Sequence, residues 1–362
     1  MSFNIVHCAD LHIGAPCSHL PHELAKTRRE ELLGALLNII DFCKENAVDA
    51  LLICGDLFDT PTPSKKDSDS VRKALSSLSP IPVYIICGNH DYMCSDSPFA
   101  QDNYFSENVH IFPTFEYSFD IPEKNVAIHG ISYSSAIISP AFDSFPFDGK
   151  RLNIMCLHGD MTEGSDYCTI RKETLSRKNP NYVAFGHIHD GEIFECGNVK
   201  CAYSGTAESH KFSDDKFTGF IYAQISEEET KLSMISRSKR KYKNLSIDVS
   251  RINSEEAVKS LATQLCSTDC VRVSLRGEIT ASDDINPEYI KNELQDRVFY
   301  LEVSDNTSIC YDFDMIETEQ SLRGEFLREL RKISDSEEDF IISAKAGLDA
   351  LSGEVPKIDL SI

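Results

Sequence analysis

The side chains best suited to metal chemistry in this sequence fall into five short clusters of aspartate, asparagine and histidine. In chain order, the clusters are Asp10 with His12, Asp56 with Asp59, Asn89 with His90 and Asp91, His158 with Asp160, and His187 with His189. Five of the eleven histidines lie in them, and histidine is the commonest metal ligand in proteins. A single Asp-x-His pair would support a metal site only weakly, but chance does not explain five clusters in one chain.

The donor atoms of these clusters are nitrogen and oxygen, without the thiolates that hold structural zinc. Such a set suits Mn, Fe or Zn, and it suits Mg less because Mg prefers oxygen ligands. One tetrahedral ion needs four ligands, whereas the clusters offer at least seven, so we expect two divalent ions that share one carboxylate. Two ions about 3.5–4 Å apart can clamp both reacting oxygens of a phosphoryl displacement. The sequence therefore predicts a two-metal phosphoesterase.

Each cluster ends an apolar run of about strand length, which suggests how the clusters are brought together. The runs occupy residues 3–12, 49–59, 81–91, 152–160 and 181–189. Their apolar character is continuous rather than alternating, as in strands that are covered on both faces. If each run is a strand, its polar cluster lies at the strand end, where α/β sheets commonly bind ligands. Five distant segments can then converge on one pocket.

Helical patterns separate these runs and indicate an α/β fold. Residues 22–46 and 64–78 place leucine, isoleucine and valine on one face of a helix. Nearer the end of the chain, the pattern reads as a small β-α-β-α-β unit. We therefore predict a two-sheet α/β sandwich as the catalytic domain at 1–235, a small α/β cap domain at 236–320 and C-terminal helices at 321–362.

The last predicted helix has a start signal and an apolar face. Ser336 and Asp339 have the spacing of an N-terminal capping box. The face has two explanations, because it could pack on its own chain or bind a partner. Its residues are Phe340, Ile341, Ala344 and Leu348.

The formal charge of −22, from 36 basic and 58 acidic residues, argues against a protein that coats nucleic acid. Such binding relies on Lys and Arg that neutralise phosphates. A polynucleotide substrate must therefore be held locally, and we expect the isolated chain to bind DNA weakly and in a salt-sensitive way. The conspicuous basic run at 237–243 is either a solvated linker or a phosphate contact.

Two features predict a cytoplasmic location without a membrane span. The first twenty residues show no basic stretch followed by an apolar run, and no window approaches eighteen uncharged apolar residues. We therefore expect neither a signal peptide nor a transmembrane helix. The thirteen cysteines are odd in number and form no CxxC pair, which suggests reduced thiols that pack as small apolar side chains.

The five clusters resemble the signature of the calcineurin-like metallophosphoesterases, which reads D-x-H, G-D-x-x-D, G-N-H-D/E, a lone His and G-H-x-H. Every element of this signature has a match in the sequence. The resemblance implies two ligand sets that share Asp56 as a bridge. The first ion would be bound by Asp10, His12, Asp56 and His189, and the second by Asp56, Asn89, His158 and His187.

The same resemblance implies a different role for the histidine after Asn89. His90 would not be a ligand but would lie beside the phosphate and protonate or stabilise the leaving oxygen, with Asp91 orienting it. An imidazole that titrates near physiological pH suits proton transfer of this kind. Asp59 and Asp160 are candidates to hold ligand histidines in place. Core or surface positions without a role in the site are expected for His7, His110, His129 and His210, and a position in the pocket lining is the alternative for His129.

The sequence around the clusters resembles, more specifically, the SbcD/YhaO-type bacterial DNA repair exonucleases. The matching segments are ADLHIG, ICGDLFD, YIICGNHDY, LHGD, AFGHIHDGEI and GTAESHKFSDDKFTGF. This resemblance implies Mn-dependent cleavage of DNA phosphodiester bonds in DNA repair, with Fe, Zn and Mg as alternative ions. It also implies a homodimer and a coiled-coil ATPase partner of the SbcC or SMC-like type, docked on the C-terminal helices.

Two other functions stay open, because such motifs do not select a substrate. A metallophosphatase or phosphodiesterase would act on small nucleotides or phosphoproteins and would not cut DNA. A non-catalytic scaffold would keep the fold but should have lost ligands, and this sequence retains all of them.

Overall fold

The structure is a computed structural model that describes residues 2–137, 147, 149–162, 165, 167, 171–214, 216–280 and 283–353. The chain divides into two compact units, Met1–Tyr242 and Lys243–Ile362. Among the described residues, every helix is too short or too polar to cross a bilayer.

The first unit consists of two six-stranded sheets and the helices that cover them. Its helices are α1 (His22–Glu45), α2 (Lys65–Ser76) and α3 (Lys172–Lys178). Its strands are β1 (Phe3–Cys8), β2 (Ala50–Cys54), β3 (Val83–Ile86), β4 (Val109–Ile111), β5 (Tyr117–Ile121), β6 (Val126–Gly130), β7 (Leu152–His158), β8 (Tyr182–Gly186), β9 (Glu192–Cys196), β10 (Val199–Tyr203), β11 (Phe220–Ile225) and β12 (Thr230–Ile235).

The strand order is β12-β11-β1-β2-β3-β4 in one sheet and β5-β6-β7-β8-β10-β9 in the other. The central pairs are parallel: β1 to β4 in the first sheet, and β6, β7, β8 and β10 in the second. The outer pairs β1–β11, β11–β12, β5–β6 and β9–β10 are antiparallel. The five apolar runs of the sequence are the parallel strands β1, β2, β3, β7 and β8.

The hydrophobic core explains why these strands read as continuous apolar runs. On β2, Leu51 and Ile53 pack against α1 and α2, whereas Leu52 and Cys54 pack against the second sheet. The outer face of the second sheet is covered by α3 through the buried Leu175. Each central strand therefore buries both of its faces, as the continuous pattern predicts. The predicted fold class, a two-sheet α/β sandwich with C-terminal helices, is confirmed.

The second unit contains the β-α-β-α-β pattern followed by helices. Its elements are β13 (Tyr242–Asp248), α4 (Ser254–Ala262), β14 (Cys270–Ile279), α5 (Pro287–Leu294), β15 (Tyr300–Ile309), α6 (Phe313–Glu317), α7 (Leu322–Ile333) and α8 (Glu337–Leu351), with sheet order β13-β14-β15. The side chain of Ser336 caps α8 by accepting the backbone N–H of Asp339 at 3.1 Å. Packing on its own chain accounts for most of the α8 stripe, since Phe340, Ala344 and Leu348 are buried against α7, whereas Ile341 is 37% exposed.

Three residues of the basic run, Arg237, Lys239 and Arg240, are bound to carboxylates of the first unit. The Arg240 guanidinium donates to both Glu31 oxygens at 2.8 and 2.7 Å, and Lys239 Nζ lies 3.0 Å from Glu31 Oε1. Glu31 also accepts from the fully buried Arg28, which donates to Glu208 at 3.1 Å. Burial would raise the pKa of Glu31, but its hydrogen bonds to Arg240, Arg28 and Lys239 lower it to about 2. Lys239 and Arg240 are therefore already paired with a carboxylate, which argues against an open phosphate site at these two residues.

This ion network makes a stability prediction. Replacing Arg28 by alanine leaves the buried carboxylates Glu31 and Glu208 short of a partner, and breaking a buried pair in this way costs about 3–5 kcal/mol. Glu45→Ala is the control, because it removes the exposed Arg237–Glu45 pair, which is worth about 1 kcal/mol or less. Urea unfolding of both variants measures the difference. Equal losses of unfolding free energy would show that the network has no special weight.

Candidate metal centre

Four of the predicted ligands have a backbone conformation that L residues rarely adopt. The φ angles of Asp10, His12, Asp56 and His187 are 53°, 45°, 52° and 93°. Positive φ costs a non-glycine residue about 1–3 kcal/mol and clusters at functional sites. Backbone bonds between the β1 and β2 loops hold two of these turns, since Asp10 N–H donates to Gly55 O at 3.1 Å and His12 N–H to Asp56 O at 3.0 Å. These ligands therefore lie in tight turns just after β1, β2 and β8.

Asp91 joins the loops that follow β2 and β3. Its buried carboxylate accepts the backbone N–H of Gly88 at 2.7 Å, of Phe58 at 3.1 Å and of Asp56 at 3.2 Å. Burial, and then the neighbouring Asp56 charge, raises the pKa of Asp91 to about 7. The predicted contact between Asp91 and the His90 ring is not among the bonds of this carboxylate. The carboxylate holds the Asp56 loop through backbone bonds, and its orienting role toward His90 stays a prediction.

Gly88 is needed for the same close approach. A Cβ at this position would collide with the Asp56 carboxylate and would lie 2.7 Å from the Asp56 backbone nitrogen. No side chain fits between the two loops without moving Asp56.

The first group of donors contains two imidazoles that face each other. His12 Nδ1 lies 3.1 Å from Asp59 Oδ1, and His189 Nδ1 lies 3.1 Å from Asp214 Oδ1. Since an ionised carboxylate only accepts, each neutral ring carries its proton on Nδ1. The two Nε2 lone pairs then face each other at 3.2 Å. That arrangement is repulsive unless a cation or a proton lies between them, which is the geometry of a metal site with carboxylate-held histidines.

The second group of donors is arranged in a similar way around His158. Its Nδ1 lies 2.9 Å from the Cys54 carbonyl, which can only accept, so the Nε2 lone pair points at Asn89 Oδ1 at 2.9 Å and Asp56 Oδ2 at 3.4 Å. His187 Nδ1 lies 3.2 Å from the same Asn89 oxygen. Burial would lower the pKa of His158, but the Asp56 carboxylate raises it to about 9. A positive charge therefore belongs at this point, either a proton or a metal ion.

Asp56 lies between the two groups. Its Oδ2 is 3.8 Å from His12 Nε2 and 3.4 Å from His158 Nε2, and its side chain is 2% exposed. Burial opposes its charge, yet the neighbouring His158 and His12 lower its pKa. Asp10 has an oxygen within 4.8 Å of ligand atoms of Asp56 and His158 and accepts the His187 N–H at 3.0 Å. The Asp56 carboxylate thus faces both donor sets.

His90 stands at the open side of this arrangement. Its side chain is 46% exposed, its ring lies 4.7 Å from the His12 ring, and its backbone N–H donates to Asp56 Oδ1 at 2.9 Å. His90 Nδ1 lies 3.4 Å from the Asp59 carbonyl, which fixes the proton on Nδ1 and leaves Nε2 free to exchange one. A ring nitrogen of His90 is also within 4.8 Å of ligand atoms of His12 and Asp56. The Asp59 carbonyl therefore contacts the ring directly.

A cavity of about 290 Å³ opens over the clusters. Its lining adds residues that the sequence reasoning missed, and of these Asp214 and Tyr167 contact predicted ligands. The Tyr167 ring packs 4.7 Å from the His187 ring. The cavity is lined by Asp56, Asn89, His90, Tyr167, His187, Ile188, His189, Asp190, Lys211, Ser213 and Asp214.

The structure places His210 beside two predicted ligands, whereas the sequence predicts a position without a role in the site. Its ring centroid lies 4.9 Å from that of His12 and 5.0 Å from that of His189. Its spacing of four residues from Asp214 is the signal that could have identified both. The other three histidines lie outside the site as expected: His7 and His129 are buried within the sheets, and His110 stacks on Tyr84.

The charge of the site also fits bound cations. Three carboxylates line the cavity, and among the described residues that line it Lys211 is the only cationic side chain. An anionic phosphodiester would be repelled from such a site unless cations neutralised the carboxylates. Facing lone pairs, a shared carboxylate and excess negative charge all fit two divalent ions. The carboxylates that line the cavity are Asp56, Asp190 and Asp214.

Comparisons with known proteins agree with this chemistry. The family model described as calcineurin-like phosphoesterase matches residues 3–191. An uncharacterized metallophosphoesterase of Bacillus subtilis, YhaO, is 26% identical over 294 residues, which cover 75% of this chain and 71% of that protein. The DNA double-strand break repair protein Mre11 of Thermoplasma acidophilum is 27% identical over 229 residues, 60% of this chain and 58% of Mre11.

The SbcD component of the SbcCD nuclease of Bacillus subtilis is 25% identical over 257 residues, 58% of this chain and 63% of SbcD. The matches to Mre11 and to SbcD therefore span less than two thirds of those proteins. With more than half of its length matched by the family model, the chain belongs to the calcineurin-like phosphoesterases and is a metal-dependent hydrolase of phosphodiesters.

Proposed function

We propose that this chain is a two-metal nuclease that hydrolyses DNA phosphodiester bonds, with Mn²⁺ as its ion. The observation that carries the proposal is the position of Asp56 Oδ2, which faces His12 on one side and His158 on the other beneath an open cavity. Relatives named as part of a nuclease and as a double-strand break repair protein support DNA as the substrate. Unit Met1–Tyr242 would then be catalytic, and the following α/β segment would act as a cap.

The roles of the side chains follow from their contacts. Asp10, His12, Asp56 and His189 would hold one ion, and Asp56, Asn89, His158 and His187 the other. When bound, two such ions lower the pKa of water and neutralise charge on the phosphate. His90 Nε2 would deliver a proton to the leaving oxygen, while the Asp59 carbonyl holds Nδ1. Asp214 and Asp59 keep the proton of each ligand ring on Nδ1.

The cavity also offers contacts for a nucleotide. Tyr167 presents an aromatic ring beside His187, and Lys211 supplies a cation. Stacking of a base on an aromatic side chain is worth about 1–3 kcal/mol, and a lysine can pair with a backbone phosphate. These local contacts would hold DNA despite the net charge of −22.

The C-terminal helices are the proposed docking surface for a coiled-coil ATPase of the SbcC or SMC-like type. Leu322, Ile333 and Leu351 are 73%, 76% and 45% exposed, and such apolar residues at the ends of α7 and α8 suit a helical partner. We also propose a homodimer and a cytoplasmic role in DNA repair.

Nuclease activity can be tested directly on the full chain. We expect Mn²⁺-dependent release of nucleotides from end-labelled single- or double-stranded DNA, abolished by EDTA. Bis-p-nitrophenyl phosphate serves as a small diester for comparison. Turnover of the small diester without any cleavage of DNA, even with a cognate ATPase added, would favour a phosphodiesterase of small nucleotides.

Tyr167 gives a prediction that separates these substrates. Tyr167→Ala should lower kcat/KM on DNA about 10-fold, because one base loses its stacking surface, and should leave hydrolysis of the small diester nearly unchanged. Tyr117→Ala is a matched control, since Tyr117 is 43% exposed and lies on β5, outside the cavity. An equal loss on both substrates would mean that Tyr167 supports the His187 ring rather than a base.

A further inference from the structure

We propose that His210 supplies a third imidazole nitrogen to the ion held by His12 and His189. One ring nitrogen of each of these three histidines lies within 4.8 Å of the other two. The three rings surround one point, with centroid distances of 5.1 Å between His12 and His189, 4.9 Å between His12 and His210, and 5.0 Å between His189 and His210. This inference rests on the proposed two-ion centre, but not on DNA as the substrate.

The bonding of His210 sets it apart from a structural histidine. Its side chain is 11% exposed, and its Nδ1 is buried without a hydrogen bond from any described residue. The nearest carboxylate oxygen, Asp214 Oδ2, is 3.5 Å away. A buried polar atom without a partner is costly, and a cation at the point between the three rings would interact favourably with the imidazole group.

Two buried histidines elsewhere in the first unit show the usual alternative. His7 has Tyr182 Oη at 2.8 Å and the Phe185 carbonyl at 3.1 Å, so both of its nitrogens are bonded. His129 has Ser118 Oγ at 2.7 Å and Asn153 Oδ1 at 3.0 Å. These rings are satisfied by the protein itself, whereas His210 is not.

Asp214 ties His210 to the predicted ligand set. One of its oxygens lies 3.1 Å from His189 Nδ1, and the other accepts the backbone N–H of His210 at 3.1 Å. A single buried carboxylate therefore fixes the spacing of the two histidines. The ring of His189 and the backbone of His210 are thus held in place before an ion binds.

Three imidazoles around one ion have a consequence for metal choice. Imidazole nitrogen suits Zn²⁺, Fe²⁺ and Mn²⁺, while Mg²⁺ prefers oxygen ligands and retains its waters. We therefore expect the wild-type chain to bind Mn²⁺ far more tightly than Mg²⁺ at the His12 side of the centre. His210 is the residue that would sharpen this preference.

The experiment is calorimetric titration of the metal-stripped full chain with Mn²⁺, which is independent of catalysis. Wild type should bind two ions, and His210→Ala should raise the dissociation constant of one of them at least about 10-fold while the other stays unchanged. His210→Gln, which keeps a polar side chain of similar size, should show the same loss. His110→Ala removes a histidine outside the cavity and should bind like wild type.

Thermal unfolding in EDTA confirms that each variant folds. Two ions bound with wild-type affinity by both His210 variants would overturn the inference and leave the two-ion centre intact. Fewer than two ions in the wild type would overturn the centre and the inference together. Two bound ions without DNA cleavage would count against the proposed substrate alone.

Discussion

Replacing His90 by alanine is expected to lower kcat on DNA by about 100- to 10,000-fold, the usual range for a lost general acid or base. The ring stands at the cavity with Nδ1 held by the Asp59 carbonyl at 3.4 Å, so its Nε2 is free to exchange a proton. Release of a DNA strand needs that proton, because an alkoxide is a poor leaving group. Steady-state kinetics with end-labelled DNA in Mn²⁺ measures the effect.

The leaving group distinguishes proton delivery from metal binding. p-Nitrophenolate leaves without protonation, so His90→Ala should damage hydrolysis of bis-p-nitrophenyl phosphate much less than cleavage of DNA. Mn²⁺ stoichiometry should remain at two. His22→Ala, which changes an imidazole that is 83% exposed at the start of α1, should behave like wild type. If the variant loses an ion and the hydrolysis of both substrates slows equally, His90 is a ligand, as its distance to His12 and Asp56 would allow.

The fold could be predicted from the sequence because its central strands bury both faces. Residues Leu51 to Cys54 alternate between two hydrophobic clusters, so the whole run is apolar and its polar end is obvious. The edge strands β9 and β12 have no comparable run, since their residues are mostly partly or fully exposed. In a strand with one exposed face, apolar and polar residues alternate over only a few positions, and this pattern is a weak signal in a single sequence.

The metal clusters could be predicted because each one directly follows a buried strand. His210 and Asp214 do not directly follow a strand, since they lie inside the loop between β10 and β11, and their spacing of four residues is a weaker signal. The partners of Asp91 were equally hidden, because they are backbone amides of another loop, and sequence spacing carries no information on such contacts. The structure therefore adds to the motifs the contacts between loops that are distant in sequence.

Asp56 has the largest expected effect on the centre. Asp56→Asn keeps the size of the side chain and an oxygen for the His90 N–H, which Asp56 Oδ1 now accepts at 2.9 Å. It removes the charge that faces both His12 and His158. Removing a group that only holds a metal ligand in place already lowers metal affinity about 10- to 100-fold. We therefore expect both Mn²⁺ dissociation constants to rise more than about 100-fold and DNA cleavage to disappear.

Asp59→Asn is the matched control for this change, because Asp59 reaches the centre through His12, whose Nδ1 is 3.1 Å from its Oδ1. Asp59→Asn should raise the dissociation constant of one Mn²⁺ ion about 10- to 100-fold and leave that of the other unchanged. Calorimetric titration with Mn²⁺ therefore separates a shared ligand from a group that serves one side. If Asp56→Asn still bound one ion with wild-type affinity, Asp56 would belong to a single site, and the two ions would have to be held without a common carboxylate.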